Sequence, residues 1–202
     1  MTAEIFTALA LFAFVSSITP GPNNMMLMSS GLTFGWVLTL PHMLGVAIGF
    51  TVMIFAVGVG LGALFEAMPQ LYLGLKIISV AYLLYLAWKI ANSAPIGDSG
   101  RAGSRPMTFL QAAAFQWVNP KAWVMAVTAI AAYAPKQAFF ANVLAVALVF
   151  GIINLPCISA WVMFGNILRA YLRDAKTVRI INIGMALALV ASLYPLLAGA
   201  LG

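Results

Sequence analysis

"ITPGPNN", residues 18–24, interrupts one of the most apolar stretches of the chain. No residue from Ile5 to Phe65 carries a formal charge, so the flanking sequence reads as membrane-spanning helix. Inside hydrocarbon, every backbone group left without a helical partner costs several kcal/mol. Pro20 and Pro22 have no N–H, so the carbonyls of Ser16 and Ile18 lose their helical partners. Gly21 is permissive, and Pro22 suits the first position of a new helix. The stretch therefore predicts a broken span rather than a continuous one.

Composition sets the environment. Of 202 residues, 64% are hydrophobic, with only 10 basic and 4 acidic side chains. A soluble domain is about 25% charged; this chain is 7%, with a mean hydropathy of +1.05. Polar helix faces sufficient for a soluble bundle are absent. The net charge of +6 sits mostly in two short loops, which suits membrane orientation rather than nucleic-acid binding. Met1-Thr2-Ala3-Glu4 lacks a basic n-region, so the first apolar stretch is expected to be a retained span. Cys157 is the sole cysteine, which excludes an internal disulfide or a CxxC redox pair. One histidine and one cysteine argue against a metal exporter. No carboxylate pair, His dyad or buried Ser–Lys arrangement suggests an enzyme.

Six spans are predicted, at roughly 5–30, 40–65, 71–91, 107–133, 138–165 and 179–200, each at or above the ~20 residues a crossing needs. "GLTFGW" and Pro41 are expected to join the first two. Residues 93–105, "SAPIGDSGRAGSR", form a polar linker. With six spans, Lys89, Arg101, Arg105, Arg169, Arg173, Lys176 and Arg179 fall on one side, and Lys76 and Lys136 on the other. The richer side is cytoplasmic, so both termini are expected to be periplasmic. A re-entrant first segment would leave five spans.

The break recurs. Asn119-Pro120 lies 15 residues after Arg105, as Thr19-Pro20 lies in sequence 15 after Ile5. Three spans per half is an odd number, so the second half enters the membrane inverted. The expected fold is an all-α polytopic membrane protein, a single transporter domain over 1–202. It comprises two inverted three-helix repeats, 1–92 and 107–202, joined by a loop at 93–106. Spans one and four are broken at Pro20-Gly21-Pro22 and at Asn119-Pro120. Broken helices of such repeats meet at a substrate site near the midplane.

Each break opens a half-helix whose first N–H groups attract an anion. Asn119 caps the second, with Pro120 at its first position. A substrate carboxylate suits these ends, and the freed carbonyls of Ser16, Ile18 and Gln116 could accept from an ammonium. A zwitterionic amino acid meets both needs. Lys121 lies deep in its span, where a charge is expensive. It reads as a carboxylate anchor or a proton carrier, against the competing reading of a lysine snorkelling to the interface. Gln116, Asn154 and Asn166 either line a cavity or bond between helices. His42 reads as interfacial, "NLPC" (154–157) as a further irregular point, and Gly45/Gly49 as close helix packing. Tyr82, Tyr85 and Trp88 read as packing or interface anchors.

"TPGPNN" (19–24), "AYLLYLAWKI" (81–90) preceded by Lys76, and "VNPKAW" (118–123) resemble the lysine exporter / homoserine–threonine exporter family of bacterial efflux proteins. The resemblance covers essentially the whole chain and is nearest to members exporting cysteine and O-acetylserine. It implies a secondary transporter in the inner membrane, exporting small neutral amino acids or derivatives and driven by the proton gradient. Thr19, Pro20, Gly21, Pro22, Asn23, Asn24, Gln116, Asn119, Pro120 and Lys121 are then the expected substrate-binding residues. Members handling basic substrates carry buried aspartates. Here the acids are Glu4, Glu66, Asp98 and Asp174, at span ends or in loops, which disfavours lysine and arginine. Expected partners are the amino-acid substrate, protons as coupling ion and the lipid bilayer, with a homo-oligomer left open. No nucleic acid, metal or cofactor is expected. The alternative is a channel or facilitator for a small polar solute.

Overall fold

The computed structural model describes residues 1–61, 67, 69–92, 105–171 and 175–193. All regular structure among them is helical. The polar linker expected at 93–105 lies almost wholly outside the described residues, as do Glu66, Asp98, Asp174 and the end of the sixth expected span.

Helix α1 (Ala3–Ile18) ends at the first break, and α2 (Pro22–Phe34) starts with Pro22 at its first position. The two axes bend by 53°. Helix α3 (Trp36–Ala56) follows after Gly35 alone and runs into a π turn, Val57–Leu61. Gly35 has φ +83°, a left-handed backbone that favours glycine. Helix α4 covers Pro69–Ala91. Helix α5 (Phe109–Phe115) opens with a capping box at Thr108 and Gln111. It tightens into a 3₁₀ turn, Gln116–Val118, before α6 (Pro120–Tyr133). Helices α7 (Phe139–Tyr171) and α8 (Ala175–Ala191) complete the set.

Three described helices are long and apolar enough to cross a membrane: Trp36–Gly60, Leu73–Ala91 and Phe139–Arg169. The bent α1/α2 pair is a fourth if it crosses as one broken span rather than returning as a re-entrant loop. The α5/α6 pair is broken, and α8 as described has 17 residues.

Two expected irregularities are corrected. Pro41 lies inside α3 rather than in the connection. It stands in the second turn, so the bond it cannot make is close to the frayed helix start. Pro156 lies inside α7, which continues unbroken past "NLPC". Pro156 is on an exposed position of α7.

Helix α7 is the spine. Its Gly165 backs onto the Met28 carbonyl of α2, while Gly31 of α2 backs onto the Val162 carbonyl. A Cβ at either position would collide with backbone, so small residues bring these two helices into contact. Gly45 and Gly49 seat α3 against Phe109 and Ala113 of α5, as the GxxxG spacing predicts. Around the site, Leu9, Phe50, Met53, Ile54, Ala126 and Phe150 form one apolar core.

Candidate functional site

The fold brings the two breaks together. Asn23 Nδ2 donates to Gln116 Oε1 at 2.8 Å, and Gln116 Nε2 donates back to Asn23 Oδ1 at 3.1 Å. Lys121 Nζ crosses from α6 to the first break. It donates to Thr19 O at 2.7 Å, Thr19 Oγ1 at 2.9 Å and Pro20 O at 3.3 Å. Its stem lies on Gly21, where an added Cβ would stand 2.6 Å from Lys121 Cδ. Gly21 is extended, φ −177°, so the glycine here serves close approach rather than an unusual backbone.

Asn119 caps α6 as expected, accepting from Lys121 N at 3.1 Å. Gly21 supplies no side-chain cap to α2. The first intrahelical bond there is from Met25 N to Gly21 O, which leaves the N–H groups of Asn23 and Asn24 at an uncapped helix start. Pro22 and Pro120 hold the first positions of α2 and α6.

The freed carbonyls do not stand open. Ser16 O accepts from Thr19 Oγ1 at 3.0 Å, and Ile18 O from Trp161 Nε1 of α7 at 3.1 Å. Ser17 O and Thr19 O accept from Asn24 Nδ2 at 2.9 and 2.8 Å. Gln116 O accepts from Asn119 N at 3.3 Å. The expectation of open carbonyls awaiting a substrate ammonium is corrected: in an apolar surround an unpaired carbonyl is too costly to leave, and the chain supplies its own donors.

A cavity of about 20 Å³, open on one side, lies between the breaks. Of the expected residues, Gly21, Asn23, Asn24, Asn119 and Lys121 line it. Thr19, Pro20, Pro22, Gln116 and Pro120 build the frame behind. Sequence reasoning placed only the Ser16 carbonyl near the site and missed the side chains of Ser16, Ser17, Phe50, Ala122 and Met125 as lining. The serines directly precede the break and were findable on that ground; nothing in the sequence marks Phe50 or Met125. Of the three undecided amides, Asn154 lines the cavity. Gln116 bonds between helices, and Asn166 Oδ1 accepts from Trp36 N at 3.2 Å.

His42 is not interfacial. It is 2% exposed, and neither ring nitrogen has a partner among the described residues. Its place on the inner face of α3, beside Met43 and Val46 of an apolar core, outweighs its proximity in sequence to a helix start. Tyr85 and Trp88 stack at 6.4 Å between centroids on an exposed face of α4, in keeping with interface anchors.

The family model described as "LysE type translocator" matches residues 14–192. A cysteine/O-acetylserine efflux protein of Salmonella typhimurium (strain LT2) is 28% identical over 192 residues, covering 94% of this chain and 96% of that protein. A protein of the same name from Escherichia coli (strain K12) is 29% identical over the same span. No solved structure matches the chain significantly. A family match across 14–192, on apolar helices broken at the same two motifs that meet around the cavity, shows that this chain belongs to the LysE-type translocator family, multi-pass membrane transporters rather than enzymes.

Proposed function

We propose that this protein exports small neutral amino acids, or their derivatives, across the bacterial inner membrane as a secondary transporter driven by the proton gradient. The substrate class takes in cysteine and O-acetylserine, named for its relatives, and threonine and homoserine. The observation that carries the reading is the meeting of an uncapped α2 start, a half-buried lysine and a capped α6 start around one cavity. The free amides of Asn23 and Asn24 would take the carboxylate. Lys121 Nζ would exchange its carbonyl partners at Thr19 and Pro20 for that carboxylate, opening the latch between the two breaks. Thr19, Pro20, Gly21, Pro22, Gln116, Asn119 and Pro120 hold this geometry.

No carboxylate among the described residues lines the cavity, so the ammonium of a lysine or arginine side chain would enter without a counter-charge, at high cost. Lys121 is the titratable group among the lining residues and the candidate proton carrier. Six spans as two inverted repeats, with both termini periplasmic, complete the proposal.

Reconstituted proteoliposomes test it. Threonine, homoserine, cysteine and O-acetylserine should be exported at least tenfold faster than lysine or arginine, and collapse of the pH gradient should slow them several-fold. Faster lysine export overturns the substrate class. Accelerated exchange of labelled substrate against unlabelled substrate across the membrane marks a carrier. Its absence marks a channel.

A further inference from the structure

The polar groups around the cavity divide by whether the protein already uses them. Lys121 Nζ donates to three oxygens. Asn23 and Gln116 exchange amide bonds. Asn24 Nδ2 gives to two carbonyls, and Asn119 Oδ1 caps α6.

Two lining side chains remain. Ser17, on α1, is 4% exposed, and its Oγ has no hydrogen-bond partner. A helical serine usually donates back to the carbonyl four residues earlier, as Ser16 does to Phe12 O at 2.5 Å; Ser17 does not. Asn154, on α7, is 5% exposed and lines the same cavity. Its amide bonds to none of the described residues and is not among the fully buried unpaired atoms, so it stands open to the cavity. Buried polar groups are almost always paired. A buried unpaired hydroxyl on α1 and an open amide on α7, both on residues that line one cavity, mark a place where a ligand completes the bonding. Phe50, Met125 and Ala122 supply an apolar wall to the same space.

We propose that Asn154 and Ser17 read the side chain of the substrate. A hydroxyl, thiol or ester group two or three bonds from Cα would bond to the Asn154 amide and the Ser17 hydroxyl, while its carbons meet Phe50 and Met125. The pair sets the preference for polar over apolar neutral amino acids, and this rests on the amino-acid export proposed above. A site built to bond a substrate hydroxyl discriminates strongly against the analogue that lacks it, because its own polar groups are then left unpaired.

The test is transport by proteoliposomes of two isosteric pairs, threonine against valine and homoserine against norvaline. The wild type should favour the hydroxyl member of each pair by tenfold or more in kcat/KM. In Asn154→Leu and Ser17→Ala that ratio should fall at least fivefold, through loss of the hydroxyl substrate while the apolar partner holds or gains. Ser17→Ala removes an oxygen that has no partner, so its melting temperature should be unchanged or raised, which separates selectivity from folding. An unchanged ratio in both variants overturns the proposal. So does equal loss for both members of each pair, which would place the two residues on the amino group common to all substrates. A wild type that moves no amino acid overturns the export reading itself, and this proposal with it.

Discussion

Lys121 holds the first break shut with its own ammonium. Three neutral oxygens satisfy it, yet none compensates its charge, so an arriving carboxylate offers a better partner than any the protein provides. Lys121→Met should therefore raise the substrate KM at least tenfold while the protein stays folded in the membrane. Near-normal export by this variant would reduce Lys121 to a structural strap and leave the site resting on helix dipoles. Gly21→Ala probes the same geometry from the other side. The extended backbone at Gly21 accepts alanine, but the new methyl group meets the lysine stem. The side chain must swing away, so transport should drop about as far as in Lys121→Met with little change in melting temperature. A Gly21→Ala protein with unaltered KM would show that the latch is irrelevant to binding. At this scale the sequence was only partly legible. Lys121 stood out because a charge in an apolar span has no bland neighbours. His42, Phe50 and Met125 did not, because their roles depend on which helix face turns inward.

At the level of elements, the four proline sites teach different lessons. Pro20-Gly21-Pro22 and Asn119-Pro120 end helices where the sequence predicts. The first joins two prolines to a glycine, and the second places a capping side chain immediately before a proline. Pro41 and Pro156 stand alone and are absorbed into α3 and α7. A single proline removes one bond and bends a helix, whereas a break needs local chemistry that begins a new one. What no local reading supplied was the donor for Ile18 O, Trp161, or the strap from Lys121 to Thr19 O, since both reach the first break from over a hundred residues away in sequence. Pro120→Ala tests whether the second break is functional. It restores an N–H that can bond to Gln116 O, favouring a continuous helix through 109–133. Transport should fall tenfold or more while membrane-inserted protein persists. If both Pro120→Ala and Pro20→Ala transport normally, the breaks are packing kinks and the substrate lies elsewhere.

For the whole molecule, the question is whether α1 and α2 cross the membrane as one bent span or return as a hairpin, since this decides whether the number of spans is even or odd. At 1.5 Å per residue, α1 is about 24 Å long and α2 about 20 Å. A hairpin needs a reversal near 180°, but the bend is 53°. With that bend, α2 still advances about 12 Å along the α1 axis, so the pair covers about 36 Å against a hydrocarbon core of about 30 Å. That length suits a crossing, and in the proposed six-span arrangement a crossing would make the parity even and let the second half enter inverted. In that proposed arrangement the positive-inside rule would put the loop that carries Arg101 and Arg105 in the cytoplasm, with the amino terminus opposite. Single cysteines placed at Thr2 and Ser99 in a Cys157→Ala background can decide this with a membrane-impermeant maleimide in intact cells. Cys157 is 3% exposed, so its removal lowers background without stripping a surface contact. Thr2→Cys should label from the periplasm, and Ser99→Cys only after the membrane is opened. Labelling of both positions from the same side would mean that the first segment is re-entrant. The inverted repeat would then fail, because the two breaks could not be symmetry mates in a three-plus-three arrangement.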